Sequence, residues 1–175
     1  MRCNRLVALG ISLFAVLTTL IACSRSPADD ASRKARVDAL YAGYKKDFTT
    51  APEISAEDAL ALWREGRLLP VDIRSPEERA VSTLPGAVAE QEYLADPQRF
   101  AGKTPVPYCT IGYRSGVLAA ALAEKGLPVL NMAGGLLGWL HAGGTLVDAS
   151  GQPANRVHVY GRTWDLAPLA YTSVW

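Results

Sequence analysis

The sequence predicts an α/β fold, a parallel sheet flanked by helices on both faces, followed by a short C-terminal extension of β character. Two observations carry this. Between residues 51 and 144, short apolar runs that read as buried strands alternate with segments of helical periodicity, which implies parallel strands joined by helical crossovers. Hydrophobic residues make up 49% of the 175, enough to build a core and too many for whole-chain disorder. No repeat of fixed period appears. Eighteen basic against seventeen acidic residues leave a formal charge of +1, so the basic excess of a nucleic-acid footprint is missing. Three cysteines, none paired as CxxC, exclude a disulfide scaffold and a cysteine-rich zinc site.

Residues 1–22 read as an export leader. Arg2 and Arg5 precede an uncharged apolar stretch over residues 6–21, interrupted by Gly10, Ser12, Thr18 and Thr19. That is short of the ~20 apolar residues a membrane-spanning helix needs, and it fits a signal peptide better. The stretch ends in Leu20-Ile21-Ala22-Cys23, which resembles the lipobox of bacterial lipoproteins. The resemblance implies a mature chain that starts at Cys23, acylated there and anchored in the bacterial cell envelope facing the periplasm. Ser24 in place of Asp points to the outer membrane. Several acyl chains are needed, because one alone holds a bilayer only marginally at ~0.8 kcal/mol per buried methylene. The alternative is an ordinary signal with a cysteine there by chance. After processing, Cys109 is the remaining free thiol, in an oxidising compartment where most thiols are paired.

Residues 23–50 comprise the lipidated cysteine, a polar tether over 24–32 and a short helix over 33–48. Val37, Leu40, Tyr41, Tyr44 and Phe48 give that helix its apolar face, which is read as a cover for the next domain. In residues 51–144, Ser55 with Asp58 opens a helix, Ala59, Leu60, Leu62 and Trp63 form its apolar face, and Gly66 stops it. Residues 68–72 form a buried strand despite Pro70. Residues 76–80 make about one helical turn after Pro76. Pro85-Gly86-Ala87 turns into another strand, and residues 90–100 are a broken helical stretch. Residues 106–109 are a strand, 115–125 a helix stopped by Gly126, 129–132 a strand, and 136–141 a helix after Gly134-Gly135. Residues 145–175 form an extension of unassigned role: a turn-rich loop over 148–155, then one or two strands within 157–166 where Val157 and Val159 alternate with His158 and Tyr160. Its four aromatics from Tyr160 to Trp175 are expected to pack the extension on the main domain, and it is also a candidate surface for a protein partner.

The segment that carries chemistry is Tyr108-Cys109-Thr110-Ile111-Gly112-Tyr113-Arg114-Ser115-Gly116. A cysteine ends a buried strand, a short loop follows, and a helix begins near Ser115. Backbone N–H groups of the loop and of the first helical turn lack intrahelical partners and converge on what sits among them. The helix dipole adds about 0.3–1 kcal/mol for an anion, up to ~2 when partly buried. Negative charge on a sulfur placed there is stabilised, with Arg114 assisting. Gly112 permits a curvature that a Cβ would obstruct.

Cys109-x-x-Gly112-x-Arg114 resembles the CxxGxR active loop of the single-domain rhodaneses, which are sulfurtransferases. Three further segments agree in order: Asp72-x-Arg74 followed by Glu78 resembles the family's D-x-R-x-x-x-E, Pro85-Gly86-Ala87 the end of its GHIPGA, and Gly134-Gly135 with Trp139 its GG-x-x-x-W. Ser82 and Thr83 depart from the family's Gly-His, and are read as surface positions. The resemblance spans about residues 51–143. It implies a rhodanese-like domain in which Cys109 takes the outer sulfur of a small anionic donor such as thiosulfate and passes it to cyanide or a thiol. The substrate-binding loop would be Thr110, Ile111, Gly112, Tyr113, Arg114 and Ser115, with no metal and no cofactor. A non-enzymatic persulfide carrier or envelope interaction module is an alternative, since it too needs Cys109. A phosphatase or arsenate-reductase-like enzyme is a further one, but its loop places five residues between cysteine and arginine, and here four intervene.

Other residues have plainer readings. Asp72 and Arg74 read as a structural pair supporting the strand end. Glu77 and Glu78 read as a solvated face, His141 and His158 as packing or surface residues, and Trp63, Trp139, Trp164 and Trp175 as packing. A plain reading of Arg114 is a cap on a carboxylate, but its place in the loop favours ligand binding. If Cys23 is the anchor, Cys23→Ala should move the protein from the membrane fraction to an unprocessed or soluble form. Acylated, membrane-bound Cys23→Ala protein would overturn the lipoprotein reading.

Overall fold

The computed structural model describes residues 29–175. The leader, Cys23 and the first part of the tether lie outside the described residues. Helix α1 spans Asp30–Tyr44 and continues as a 3-10 turn over Lys45–Asp47. It starts earlier than the periodicity predicts because Asp29 caps it, accepting the Ser32 N–H at 2.8 Å. The end of the predicted tether is therefore helix. The next elements are β1 (Glu53–Ile54), α2 (Ala56–Arg64), β2 (Leu68–Asp72), α3 (Pro76–Val81), β3 (Val88–Ala89) and α4 (Glu90–Ala95). After a 3-10 turn over Pro97–Phe100 come β4 (Thr104–Tyr108), α5 (Tyr113–Glu124), β5 (Asn131–Met132) and α6 (Gly135–His141).

Strand β2 lies between β3 and β4, parallel to both. The Leu130 N–H donates to the Pro105 carbonyl and links β4 to β5, which pairs parallel with β1. Pro70 is tolerated in the central strand because β3 pairs with Val71 and Asp72, one residue later, so at Pro70 the ladder runs to β4. Side chains alternate across the sheet. Leu68, Val106 and Tyr108 join the core under α1, α2 and α6, while Leu69 and Val71 join the core that holds Tyr93 of α4 and Ala119 and Leu122 of α5. Helices thus cover both faces, as the strand–helix alternation predicts.

The C-terminal extension is of β character, as the sequence predicts, but its strands are placed differently. Strands β6 (Leu146–Val147) and β7 (Pro153–Ala154) form a hairpin, and β8 (Arg156–His158) pairs parallel with β9 (Thr172–Val174). The alternating run over 157–166 is a strand only to His158; a 3-10 turn over Arg162–Trp164 follows. Val157, Val159, Leu166 and Ala167 enter the main core. Trp164 and Tyr171 pack against it, whereas Tyr160 and Trp175 are more than half exposed, so only two of the four aromatics dock the extension as expected.

Ser82 and Thr83, expected at the surface, are where the extension is sewn on. Ser82 is fully buried and its Oγ donates to the Arg156 carbonyl at 2.7 Å. Thr83 exchanges two backbone hydrogen bonds with Val147. The Thr83 hydroxyl also donates to Asp72 Oδ2 at 2.8 Å, beside the Tyr108 hydroxyl at 2.6 Å. Asp72 and Arg74 form the predicted structural pair: Arg74 Nε and Nη2 donate to the two Asp72 oxygens at 2.9 and 2.7 Å, and Nη2 also reaches the Ser82 carbonyl. Both side chains are essentially solvent-free.

A buried charge stripped of its partner costs far more than the pair contributes. Arg74→Met should therefore lower stability by about 3–5 kcal/mol, read as a fall in the urea midpoint. Adding Asp72→Asn to that variant should recover part of the loss; no recovery would mean that the pair is not what fails.

Candidate active site

Strand β4 ends at Tyr108 and delivers Cys109 into the loop that precedes α5. The loop turns through Gly112, whose φ of 89° is left-handed and whose Cβ, if present, would lie 2.8 Å from the Tyr41 ring and 2.9 Å from the Met132 carbonyl oxygen. Conformation and space both demand glycine there. The turn aims the Gly112 N–H at Cys109 Sγ, at 3.2 Å, and the Ser115 hydroxyl approaches the same sulfur at 3.8 Å. The sulfur lies at the N-terminus of α5, where an anion is favoured.

The loop carbonyls are held by other partners. Cys109 O accepts the Leu136 N–H at 2.8 Å and Thr110 O accepts the Leu137 N–H at 3.1 Å, so the loop satisfies two of the orphan donors of α6. Gly112 O accepts from Asn131 Nδ2 at 3.1 Å, and Asn131 in turn is tied to the Tyr41 hydroxyl. This close seating explains the double glycine: a Cβ on Gly135 would stand 2.4 Å from Cys109 O and 2.6 Å from Gly112 N.

Glu78 is buried rather than part of a solvated face. It completes a capping box at the start of α3, where the Ser75 hydroxyl accepts the Glu78 N–H and the Glu78 carboxylate accepts the Ser75 N–H. The same carboxylate accepts two bonds from Arg114, at 2.9 and 2.7 Å. Arg114 is therefore paired, a plane-to-plane fork that fastens the start of α5 to α3. Burial opposes ionisation of Glu78, but Arg114, the Ser75 N–H and the Arg74 charge outweigh it and hold the carboxyl below its ordinary value. Thr110 is buried with its hydroxyl toward Glu78, and Ile111 is buried beside it. Glu77 stays in solvent.

Above Cys109, itself 1% exposed, opens a cavity of about 350 Å³. The loop and α5 contribute Ile111, Tyr113 and Arg114, α1 contributes Tyr44, and the C-terminal extension contributes Tyr160 and Trp164. Helix α1 is thus a wall of the site as well as a cover. The role of Trp164 exceeds the packing assigned to it, and no spacing in the sequence relates Tyr44, Tyr160 or Trp164 to Cys109. Glu78 had a legible signal, the S-x-x-E spacing after Asp72-x-Arg74. His141 Nε2 contacts the Leu166 carbonyl and His158 Nδ1 accepts the Tyr160 N–H, and both serve the extension. Among the described residues no group of three or more His, Cys, Asp or Glu side chains is placed to hold a metal ion.

The family model for the Rhodanese-like domain matches residues 55–142. No curated protein matches the chain. Among solved structures, it is similar to a thiosulfate sulfurtransferase from Pseudomonas aeruginosa, at 22% identity and a TM-score of 0.52, over 69% of this chain and 24% of that one. It is also similar to a protein of unknown function from Rhodopseudomonas palustris, described as a possible tyrosine phosphatase, at 30% identity, a TM-score of 0.47 and coverage of 62% and 91%. A polysulfide-sulfur transferase homodimer from Wolinella succinogenes gives 23% identity, a TM-score of 0.44 and coverage of 69% and 90%. The first of these likenesses supports the fold.

A carboxylate held ionised below its ordinary value of 4.5 contributes stability above that value and loses the contribution as pH falls through the lower, folded one. Glu78→Gln should therefore flatten the acid limb of the stability curve between roughly pH 5 and 3. At neutral pH it should cost about 1–3 kcal/mol, toward the lower end because the Arg114 side chain is partly exposed. An acid limb identical to the wild type's would show that Glu78 does not carry this term.

Proposed function

We propose that this chain, which belongs to the Rhodanese-like domain family by the match over residues 55–142, is a sulfurtransferase that carries a sulfane sulfur on Cys109. The observation that carries the reading is the sulfur's setting: Cys109 Sγ faces the Gly112 N–H, the Ser115 hydroxyl and the α5 N-terminus, at the floor of an open cavity. Donors fixed on a site where negative charge develops are the most effective way to stabilise it. In the first half-reaction the Cys109 thiolate attacks the outer sulfur of a donor such as thiosulfate. The donor's S–S bond breaks, its electron pair leaves on sulfite, and the negative charge of the new persulfide rests on its outer sulfur. In the second, a thiolate or cyanide attacks that outer sulfur and the electron pair returns to Sγ. This is covalent, ping-pong transfer with no cofactor in either step.

Arg114 serves this scheme as a positioning residue. Its fork on Glu78 fixes the start of α5, and its charge is largely balanced by the same carboxylate. The lipobox reading places the transfer at the membrane surface of the cell envelope, through acylated Cys23.

Treatment of the purified protein with thiosulfate should add the mass of one sulfur atom, mapped to the peptide that holds Cys109 and removed by cyanide. Cys109→Ser should give no such adduct. An adduct of the same mass in that variant would overturn the assignment.

A further inference from the structure

Resting on the sulfur-transfer reading above, we propose that the acceptor is a small thiol with an apolar, ring-sized body, and that the C-terminal extension selects it. An acceptor reaches the sulfur of the buried Cys109 through the cavity of about 350 Å³ above it, far more room than cyanide fills. The walls are four aromatic rings, Tyr44, Tyr113, Tyr160 and Trp164, with Ile111 beside them. The charged group on the wall, Arg114, has its guanidinium on both oxygens of Glu78, which leaves little net charge to draw in an anion. A polar, charged acceptor would exchange its water shell for carbon, at a cost that few hydrogen bonds here offset. An apolar ring would gain aromatic contact instead.

Tyr160 assigns the selection to the extension. Its φ of 67° makes it the one non-glycine residue with positive φ among the described residues, a conformation that disfavours a bulky side chain. Burial does not account for it, since Tyr160 is 58% exposed. The ring stands 5.2 Å from the Trp164 ring and 5.2 Å from the Arg114 guanidinium, at the cavity wall, and its N–H is tied to His158 Nδ1. Backbone strain concentrated at a site wall marks a functional constraint. Trp164 Nε1 is also buried without a hydrogen-bond partner among the described residues, although a buried indole N–H ordinarily finds one.

In the step proposed, the acceptor thiolate attacks the outer sulfur of the Cys109 persulfide. A new S–S bond forms on the acceptor, the bond to Sγ breaks, and its electron pair returns to Sγ, giving an acceptor persulfide and the Cys109 thiolate. No external oxidant or reductant is consumed.

The test follows single-turnover discharge of the thiosulfate-loaded, full-length protein by thiophenol, glutathione and cyanide. Each rate constant is divided by that for the same nucleophile and a free low-molecular-weight persulfide, which removes intrinsic reactivity. Thiophenol should exceed glutathione and cyanide by about 10-fold on this scale. In Tyr160→Gly, where glycine accepts the backbone conformation, the thiophenol-to-cyanide ratio should fall about 10-fold while the melting temperature holds or rises. Equal normalised rates for the three, or a Tyr160→Gly ratio within about twofold of the wild type's, would overturn the inference and leave sulfur transfer standing. A Cys109 that takes up no sulfur would remove both.

Discussion

The site depends on where the loop carbonyls point. The backbone N–H of Gly112 reaches the sulfur, and holding the loop in the turn that aims it there requires that the loop carbonyls find partners of their own. Here the first donors of α6 take the carbonyls of Cys109 and Thr110, and Asn131 takes that of Gly112. The arrangement works only if α6 comes within hydrogen-bonding distance of the loop, and Gly135 makes that approach possible. The loop, the double glycine and the buried Asn131 are therefore one construction.

Two ion pairs brace that construction from the β2 side. Asp72 and Arg74 lock the end of β2 to the segment before β3 and to Tyr108, the residue that precedes Cys109. Glu78 and Arg114 lock α3 to the start of α5. Both fix the chain segments that carry the sulfur and its donors. The D-x-R-x-x-x-E spacing thus supplies both members of the first brace, Asp72 and Arg74, and one member of the second, Glu78, which reaches across to Arg114 at the start of α5.

Much of this was legible in the sequence, and the reasons differ from residue to residue. The strand–helix alternation gave the layers because a short, continuous apolar run such as residues 68–72 and the helical spacing of residues 115–125 leave different traces. The Cys109, Gly112 and Arg114 spacing gave the loop because a tight turn into a helix limits which residue types fit. Glu78 was misread because an acid in a charged run looks solvated, although the capping spacing from Ser75 was available. Ser82 and Thr83 were misread because their burial comes from the extension, through Arg156 and Val147, more than sixty residues away. The same distance hid Tyr160 and Trp164: local periodicity says whether a residue is buried, and nothing about which remote surface it meets.

The extension's attachment also has a consequence for the order of assembly. Arg33 near the start of α1 donates to the Ala167 carbonyl, a contact between residues 134 positions apart. Closing so long a loop is entropically unfavourable, and such contacts form late. The loop, its bracing pairs and α6 are complete within residues 72–141, whereas the Tyr160 and Trp164 wall follows them in the chain. In chain order the thiol is thus cradled before it is covered. A chain cut before Tyr160 would still carry the Cys109 loop, its braces and α6, with one side of the cavity open to any small electrophile or oxidant it meets.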